Sequence, residues 1–420
     1  MARRVVVTGI GMVTPLGVGR EAFAEALWQG KSGIAEISSF PTTGLSSHLG
    51  AECRTFEPRD FVSLRSLRKM DRLSAMTTAS VRMAFADAGI TVNDGNRERI
   101  GIVMGTAFGN TEQKVQSART LLTEGPSLVS PLHVPNTVMN APAGYASIEL
   151  GFCGVNTTVN HQAVSAETAL IYAAMEIRRG AADVIVAGGA EILSPFFYEA
   201  LTRFGGLSPG KGRAEESRPF DRSRNGFVAG EGCGILCLEA AELAEARGVL
   251  PYAELVGWGM ASSPAASTAW PADPRGFSLA LRRALGMAEI TPAEIDVIAA
   301  AANGGQNPDA LEAAAYEIVF AGSERRPLIT ALKGAMGESF ASGGIRASAL
   351  ALSLREGIVP PIVGLKDPLC GLPFVTGEAS HSPVSLGLLS GISFGGTYAC
   401  LVLKRSHLLQ PFPEPLRVSF

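Results

Sequence analysis

Charge, aromatic rings and histidine are all scarce in this 420-residue chain. Charged residues make up 18%, aromatics 7%, and there are only five histidines. With 36 basic and 39 acidic side chains the net charge is −3. Such a balance gives no footprint for nucleic acid or for an anionic membrane surface. No apolar run is long enough to span a bilayer, and no leader-like segment precedes the first strand-like stretch at Val5. The six cysteines, Cys53, Cys153, Cys233, Cys237, Cys370 and Cys400, form no C-x-x-C pair, and the histidines are dispersed. A metal site is therefore not expected, and no cofactor is called for. Buried free thiols in a reducing, cytoplasmic setting are the simpler reading.

What is abundant is apolar surface: 46% of residues are hydrophobic. Few charges on so long a chain imply a large core, or surface buried against a partner. Short β-branched runs closed by glycine alternate with helical patterns, beginning with Val5–Gly11 and Ile100–Gly105. Thr157–Gln162 leads into a helix to about residue 179, and Ala182–Ala187 ends at Gly188 and Gly189. Helices are expected near 20–29, 72–89, 111–123, 277–287 and 343–355. Further strands are expected at 233–238, 252–257, 295–301, 327–332, 385–390 and 397–404. This alternation predicts an α/β protein built from parallel βαβ units. Strand-then-glycine stretches at Val5–Gly9 and Val297–Gly304 suggest an internal duplication. Residues 205–232, rich in Gly, Ser, Arg and Pro, read as a long surface loop, and the Pro-rich residues after Arg405 as an extended tail.

Four stretches carry a resemblance. They are Val6–Gly17, Val186–Glu191, the pair Arg218–Asp221 with Gly226–Gly232, and Phe394–Thr397. In this order they resemble the β-ketoacyl synthase family of the thiolase superfamily. The resemblance implies a duplicated thiolase-type fold, layered α-β-α-β-α. Its halves would span 1–250 and 251–408, with a tail at 409–420. It also implies a dimer.

Ketosynthases extend an acyl chain with a malonyl unit held on an acyl carrier protein. That chemistry needs a cysteine thiolate at a helix N-terminus, where the dipole and the amides favour negative charge. It also needs two histidines to assist decarboxylation. Counting back without gaps from Gly180-Ala181-Ala182-Asp183 places Ala163 at the family's cysteine, with Gln162 one residue earlier. The first histidine's place falls on Asn303, in Ala301-Ala302-Asn303-Gly304-Gly305. The second falls on Glu338, five residues after a retained Lys333. Alanine cannot carry an acyl group, asparagine cannot shuttle a proton near neutral pH, and a carboxylate at 338 would repel a malonyl carboxylate. His161 and Ser165 could be imagined as a nucleophilic pair, but His161 reads better as packing. Glu167, in the first turn of its helix, suits the dipole. Lys333 and Glu338 are expected to form a buried ion pair filling the vacated site.

The family includes a subclass with this profile, the chain-length factor, or ketosynthase β subunit, of type II polyketide systems. That subclass usually has glutamine at the cysteine position, so whether Ala163 or Gln162 takes the nucleophile's place stays open. The resemblance then implies an active ketosynthase as heterodimer partner, and contact with an acyl carrier protein and its growing chain. Thr111, Val115, Ala118 and Leu122 share one face of the 111–123 helix, either as tunnel lining or as an ordinary core stripe. Small residues there would suit a long, slim chain such as a polyene or a fatty-acid-like product. Two rival functions remain on sequence grounds: a malonyl-carrier-protein decarboxylase supplying starter units, and a homodimeric acyl-binding protein.

Overall fold

The computed structural model describes residues 2–210 and 214–406. The proline-rich tail lies outside the described residues. An eleven-stranded mixed sheet organises the chain. We label its main strands β1 (Val5–Thr14), β2 (Ile100–Gly105), β3 (Asn156–Val159), β4 (Val184–Glu191), β5 (Gly232–Ala240), β6 (Ala253–Ser262), β7 (Val297–Ala300), β8 (Leu328–Ala331), β9 (Leu386–Ser393) and β10 (Thr397–Arg405). Their order is β8-β7-β9-β10-β6-β1-β5-β4-β2-β3, and the short strand Gly17–Val18 hangs off β1. Only two residue pairs, Val6 with Glu254 and Val7 with Ala253, join β1 to β6. The sheet is thus two five-stranded layers hinged at one narrow seam.

The principal helices are α1 (Arg72–Ala88), α2 (Thr111–Thr123), α3 (Ser165–Arg178), α4 (Pro195–Arg203), α5 (Arg275–Ala288), α6 (Gln306–Val319) and α7 (Gly343–Glu356). Helices α3 and α7 touch each other and strands of both layers, so they form the middle layer. Twelve of the fourteen residues of α7 are buried, which explains why its sequence shows no polar face. Helix α1 covers β1 and β5, and α5 covers β6 and β10 on the opposite outside. The result is the expected α-β-α-β-α layering.

The pairing corrects the expectation of purely parallel units. Within this sheet, parallel pairs run through β2 and β7, whereas β1, β5, β6 and β10 pair antiparallel. It also corrects the matched segments. The counterpart of β1 is β6, and β7 matches β2. Both β1 and β6 carry a bulge followed by Gly-x-Gly, at Gly9 and Gly11 and at Gly257 and Gly259. A Cβ on Gly9 would lie 2.2 Å from the Ala84 carbonyl oxygen, and one on Gly257 2.6 Å from that of Ala284. Glycine lets the outer helix lie against each strand in the same way.

The expected surface loop at 205–232, of which 211–213 lie outside the described residues, is in part interior. Leu207, Ser208, Ser217, Phe220, Asp221 and 228–231 are buried. Their polar groups are satisfied inside: Phe220 N–H donates to Asp309 at 2.8 Å, and Ser217 donates to the Asn303 carbonyl at 3.0 Å. Those internal partners are what allow a polar segment to run through the interior. Of the cysteines, Cys153 is exposed and Cys370 half-buried, while the other four are buried and all six are free.

Candidate functional site

The site lies where the middle layer meets the ends of β2, β7 and β9. Strand β3 ends at Val159, and a tight turn, Gln162–Val164, leads into α3. Gln162 has φ 53°, a left-handed conformation unusual for a residue with a side chain. This sharp bend turns Ala163 inward at the helix start, where it is buried among aromatic rings. The Ala163 amide donates to Ser393 Oγ at 3.2 Å, and that hydroxyl donates to Gln162 Oε1 at 3.1 Å. Ser393 ends β9 just before the Phe394–Thr397 loop, so it satisfies an amide that would otherwise point into the pocket.

His161 and Ser165 do not form a nucleophilic pair. The His161 backbone N–H, not its ring, donates to Ser165 Oγ at 2.9 Å, and the ring meets Thr168 at 3.3 Å.

Asn303, Lys333 and Glu338 are brought together and buried. Glu338 Oε2 accepts from Lys333 Nζ at 2.6 Å and from Asn303 Nδ2 at 2.8 Å. The other oxygen, Oε1, accepts the Phe340 amide at 2.7 Å. The expected Lys333–Glu338 ion pair is therefore present, with about 3% of each side chain exposed. Asn303 is held in turn by Asp309, which accepts the Asn303 and Gly304 amides at 3.0 and 3.1 Å. Burial pushes the Asp309 carboxyl up to about 7, against those amide hydrogen bonds.

Sequence reasoning missed two further features. The first is Arg346, on α7, which pairs with Glu167 of α3 in complete burial. Burial raises the Glu167 pKa and the Arg346 charge opposes the rise. Glu167 thus serves the packing of the two middle helices rather than only its own helix dipole. The second is a cluster of phenylalanines. Phe340, also left-handed at φ 56°, stands at its hub. Its ring centroid lies 5.1 Å from Phe108, 5.6 Å from Phe197, 5.8 Å from Phe227 and 6.3 Å from Phe394. Ala107 and Ala163 complete the cluster. The phenylalanines come from five separate segments, so no local periodicity could have announced them.

Thr111, Val115, Ala118 and Leu122 lie elsewhere. They sit on α2, which has no buried residue; Thr111 and Val115 are half-buried, and Leu122 is 84% exposed. The stripe is not an internal core stripe. Its N-terminal end adjoins the cluster, because Thr111 Oγ1 donates to the Phe108 carbonyl at 3.1 Å. Leu121 near the end of α2, and Leu128, Leu132, Val134, Val138 and Ile148 on the segments that follow it, are exposed. The neighbouring edge strand β3 pairs on one side only. No group of His, Cys, Asp or Glu able to hold a metal ion occurs among the described residues, and no helix there is long and apolar enough to cross a membrane.

Comparison with known proteins shows the family. Residues 2–244 match the model of the β-ketoacyl synthase N-terminal domain, and 252–366 that of the C-terminal domain. The 3-oxoacyl-[acyl-carrier-protein] synthase 2 of Coxiella burnetii is 32% identical over 408 residues, covering 96% of this chain and 99% of that protein. Its counterpart in Vibrio cholerae is 33% identical over 414 residues, covering 96% and 99%. Among solved structures, the ishigamide ketosynthase/chain length factor superposes with TM-score 0.90 at 30% identity, over 97% of this chain and 100% of that one. A type II polyketide synthase complex, in which an acyl carrier protein is bound to its ketosynthase, matches with TM-score 0.87 at 27% identity, again over 97% and 100%. The chain belongs to the β-ketoacyl synthase family, and its fold is that of the thiolase-type ketosynthases.

Proposed function

We propose that this chain is a non-catalytic chain-length factor that pairs with an active ketosynthase in type II polyketide biosynthesis. The observation that carries this reading is Ala163. A methyl group stands at the inward-turned helix start where a ketosynthase needs a thiolate. We read Ala163, rather than Gln162, as the nucleophile's position, because Ala163 is turned into the buried aromatic cluster and Gln162 instead accepts a hydrogen bond from Ser393. Asn303 and Glu338 take the two histidine places, and their polar atoms are spent on each other, on Lys333 and on the Gly305 and Phe340 amides. Curated relatives carry the name of a synthase. This reading parts from that name at three separate residues, of which Ala163 alone removes the nucleophile.

Loss of both histidines also speaks against starter-unit decarboxylation. The partner surface is read from β3 and the exposed apolar residues beside it, since an open strand edge flanked by leucine and valine side chains asks for a second chain. On this reading the acyl carrier protein serves the partner's cysteine, and α2, with Thr111, Val115, Ala118 and Leu122, borders the partner's acyl tunnel. Residues 1–250 and 251–408 are read as the two halves of the duplication. Co-expression with a ketosynthase carrying Cys, His and His, followed by native mass spectrometry, tests the pairing. A 1:1 heterodimer supports it. A stable homodimer that ignores the ketosynthase would favour an independent acyl-binding role, and carbon dioxide release from malonyl carrier protein by the chain alone would restore the decarboxylase.

A further inference from the structure

We propose that this chain carries its own pocket plug. Phe340, held in place by Glu338, fills the space in front of residue 163 and keeps acyl chains out of this subunit. The inference rests on reading residue 163 as a former acylation position, but not on the identity of any partner.

Three observations converge on it. The ring of Phe340 is the hub of the phenylalanine cluster, and Ala163 is buried in that cluster. An acyl thioester attached at residue 163 would begin among these rings. The backbone of Phe340 is left-handed at φ 56°. For a bulky residue that conformation is unfavourable and persists only when its surroundings impose it. What imposes it here is Glu338, whose Oε1 accepts the Phe340 amide at 2.7 Å while Oε2 is anchored by Lys333 and Asn303. The carboxylate at 338 is thus a positioning residue for the aromatic ring two residues on. The three charged and polar side chains below the pocket and the rings above it form one connected unit.

The consequence is one-sidedness. A dimer containing this chain would hold an acyl chain only on the partner's cysteine, because the equivalent space here is occupied by side chains. The elbow amide needs no ligand either, since it is already satisfied by Ser393.

The test uses the full-length chain with Ala163→Cys, treated with iodoacetamide or with the same reagent bearing a long alkyl tail. Labelling of residue 163 is followed by peptide mass spectrometry, which separates it from the six native cysteines. Phe340→Gly is the opening variant, because glycine tolerates the left-handed φ that the backbone already has. Phe340→Leu serves as a second, milder opening that keeps an apolar side chain. With Phe340 present, the long reagent is expected to label residue 163 much more slowly than the short one. Opening is expected to raise the long-to-short rate ratio about tenfold or more, the scale on which a shaped apolar pocket discriminates. Equal labelling by both reagents with Phe340 intact would overturn the plug. So would no labelling at residue 163 by either reagent after opening, because residue 163 would then not face this pocket. A chain that passes this test but forms no heterodimer would sink the partner reading and leave the plug standing.

Discussion

Glu338 receives the Lys333 ammonium at 2.6 Å and the Asn303 amide at 2.8 Å on the same carboxylate oxygen. All three side chains are buried. Removing one member of a buried ion pair leaves the other charge without compensation in a medium that solvates it poorly. Lys333→Met is therefore expected to cost ~3–5 kcal/mol of stability, read by denaturant unfolding. Lys333→Met combined with Glu338→Gln should recover most of that loss. A loss below about 1 kcal/mol in the single variant, the scale of an exposed pair, would show that the contact is not a structural anchor.

Arg346 and Glu167 make the same argument between α3 and α7. Both side chains are 0% exposed, and Glu167 Oε2 and Arg346 Nε have no further hydrogen-bond partner. Arg346→Leu alone should destabilise the chain by several kcal/mol, about 3–5 by analogy with other broken buried pairs. Arg346→Leu with Glu167→Leu should be far milder, because no lone charge remains. Equal losses in the single and double variants would mean that packing volume, not charge, decides the site.

The pH profile should carry the mark of Glu191. This carboxyl accepts from Thr106 Oγ1 and from the Ala107 and Phe108 amides on one oxygen, and burial pushes its pKa up to about 7 from an ordinary 4.5. A carboxyl whose folded-state pKa is raised binds its proton more tightly when folded. Its stabilising contribution is complete below the unfolded pKa and is lost as pH rises through the folded value. Buried Asp309, also near 7, acts in the same direction. The melting temperature is expected to fall between about pH 4 and pH 7, from the ordinary carboxyl values up to the raised folded ones, and to level off above. Glu191→Gln keeps the accepting oxygen and should flatten that fall. An unchanged slope in Glu191→Gln would assign the pH dependence to other groups.

Helix α2 makes a prediction about product length. If its face borders the partner's tunnel, Val115→Phe and Ala118→Phe narrow the space at the tunnel end. Both variants are expected to shift products to shorter chains, read by mass spectrometry of the reconstituted pair, with little effect on the stability of this chain, because neither residue is buried. Unchanged chain lengths would remove α2 from the tunnel wall.

Much of this was legible in the sequence, for physical reasons. Helix 111–123 coincides with α2 because Asn110 caps its start, accepting the Gln113 amide at 3.1 Å. The glycine-terminated strands stood out because tight helix–strand packing admits no Cβ. The Lys333–Glu338 pair could be anticipated from two charged residues five apart in an otherwise apolar stretch. Arg346 could not, because its partner Glu167 is 179 residues away. Phe340 likewise gave no signal, since its importance comes from four rings on other segments and from a backbone angle. Residues 205–232 misled because their composition resembles a solvent loop. Only the tertiary contacts of Phe220, Ser217 and Asp309 reveal that part of the segment is interior. Strand composition also did not reveal the antiparallel neighbours of β1, since a strand buried on both sides reads the same in either direction.

The central claim is that this chain helps a ketosynthase without itself carrying an acyl group. The most direct measurement is the intact mass of each subunit after the purified pair is incubated with acyl-loaded carrier protein. The account predicts an added acyl mass on the partner and none on this chain, and loss of condensation when this chain is left out. An acyl adduct on this chain, or full condensation by the partner alone, would contradict it.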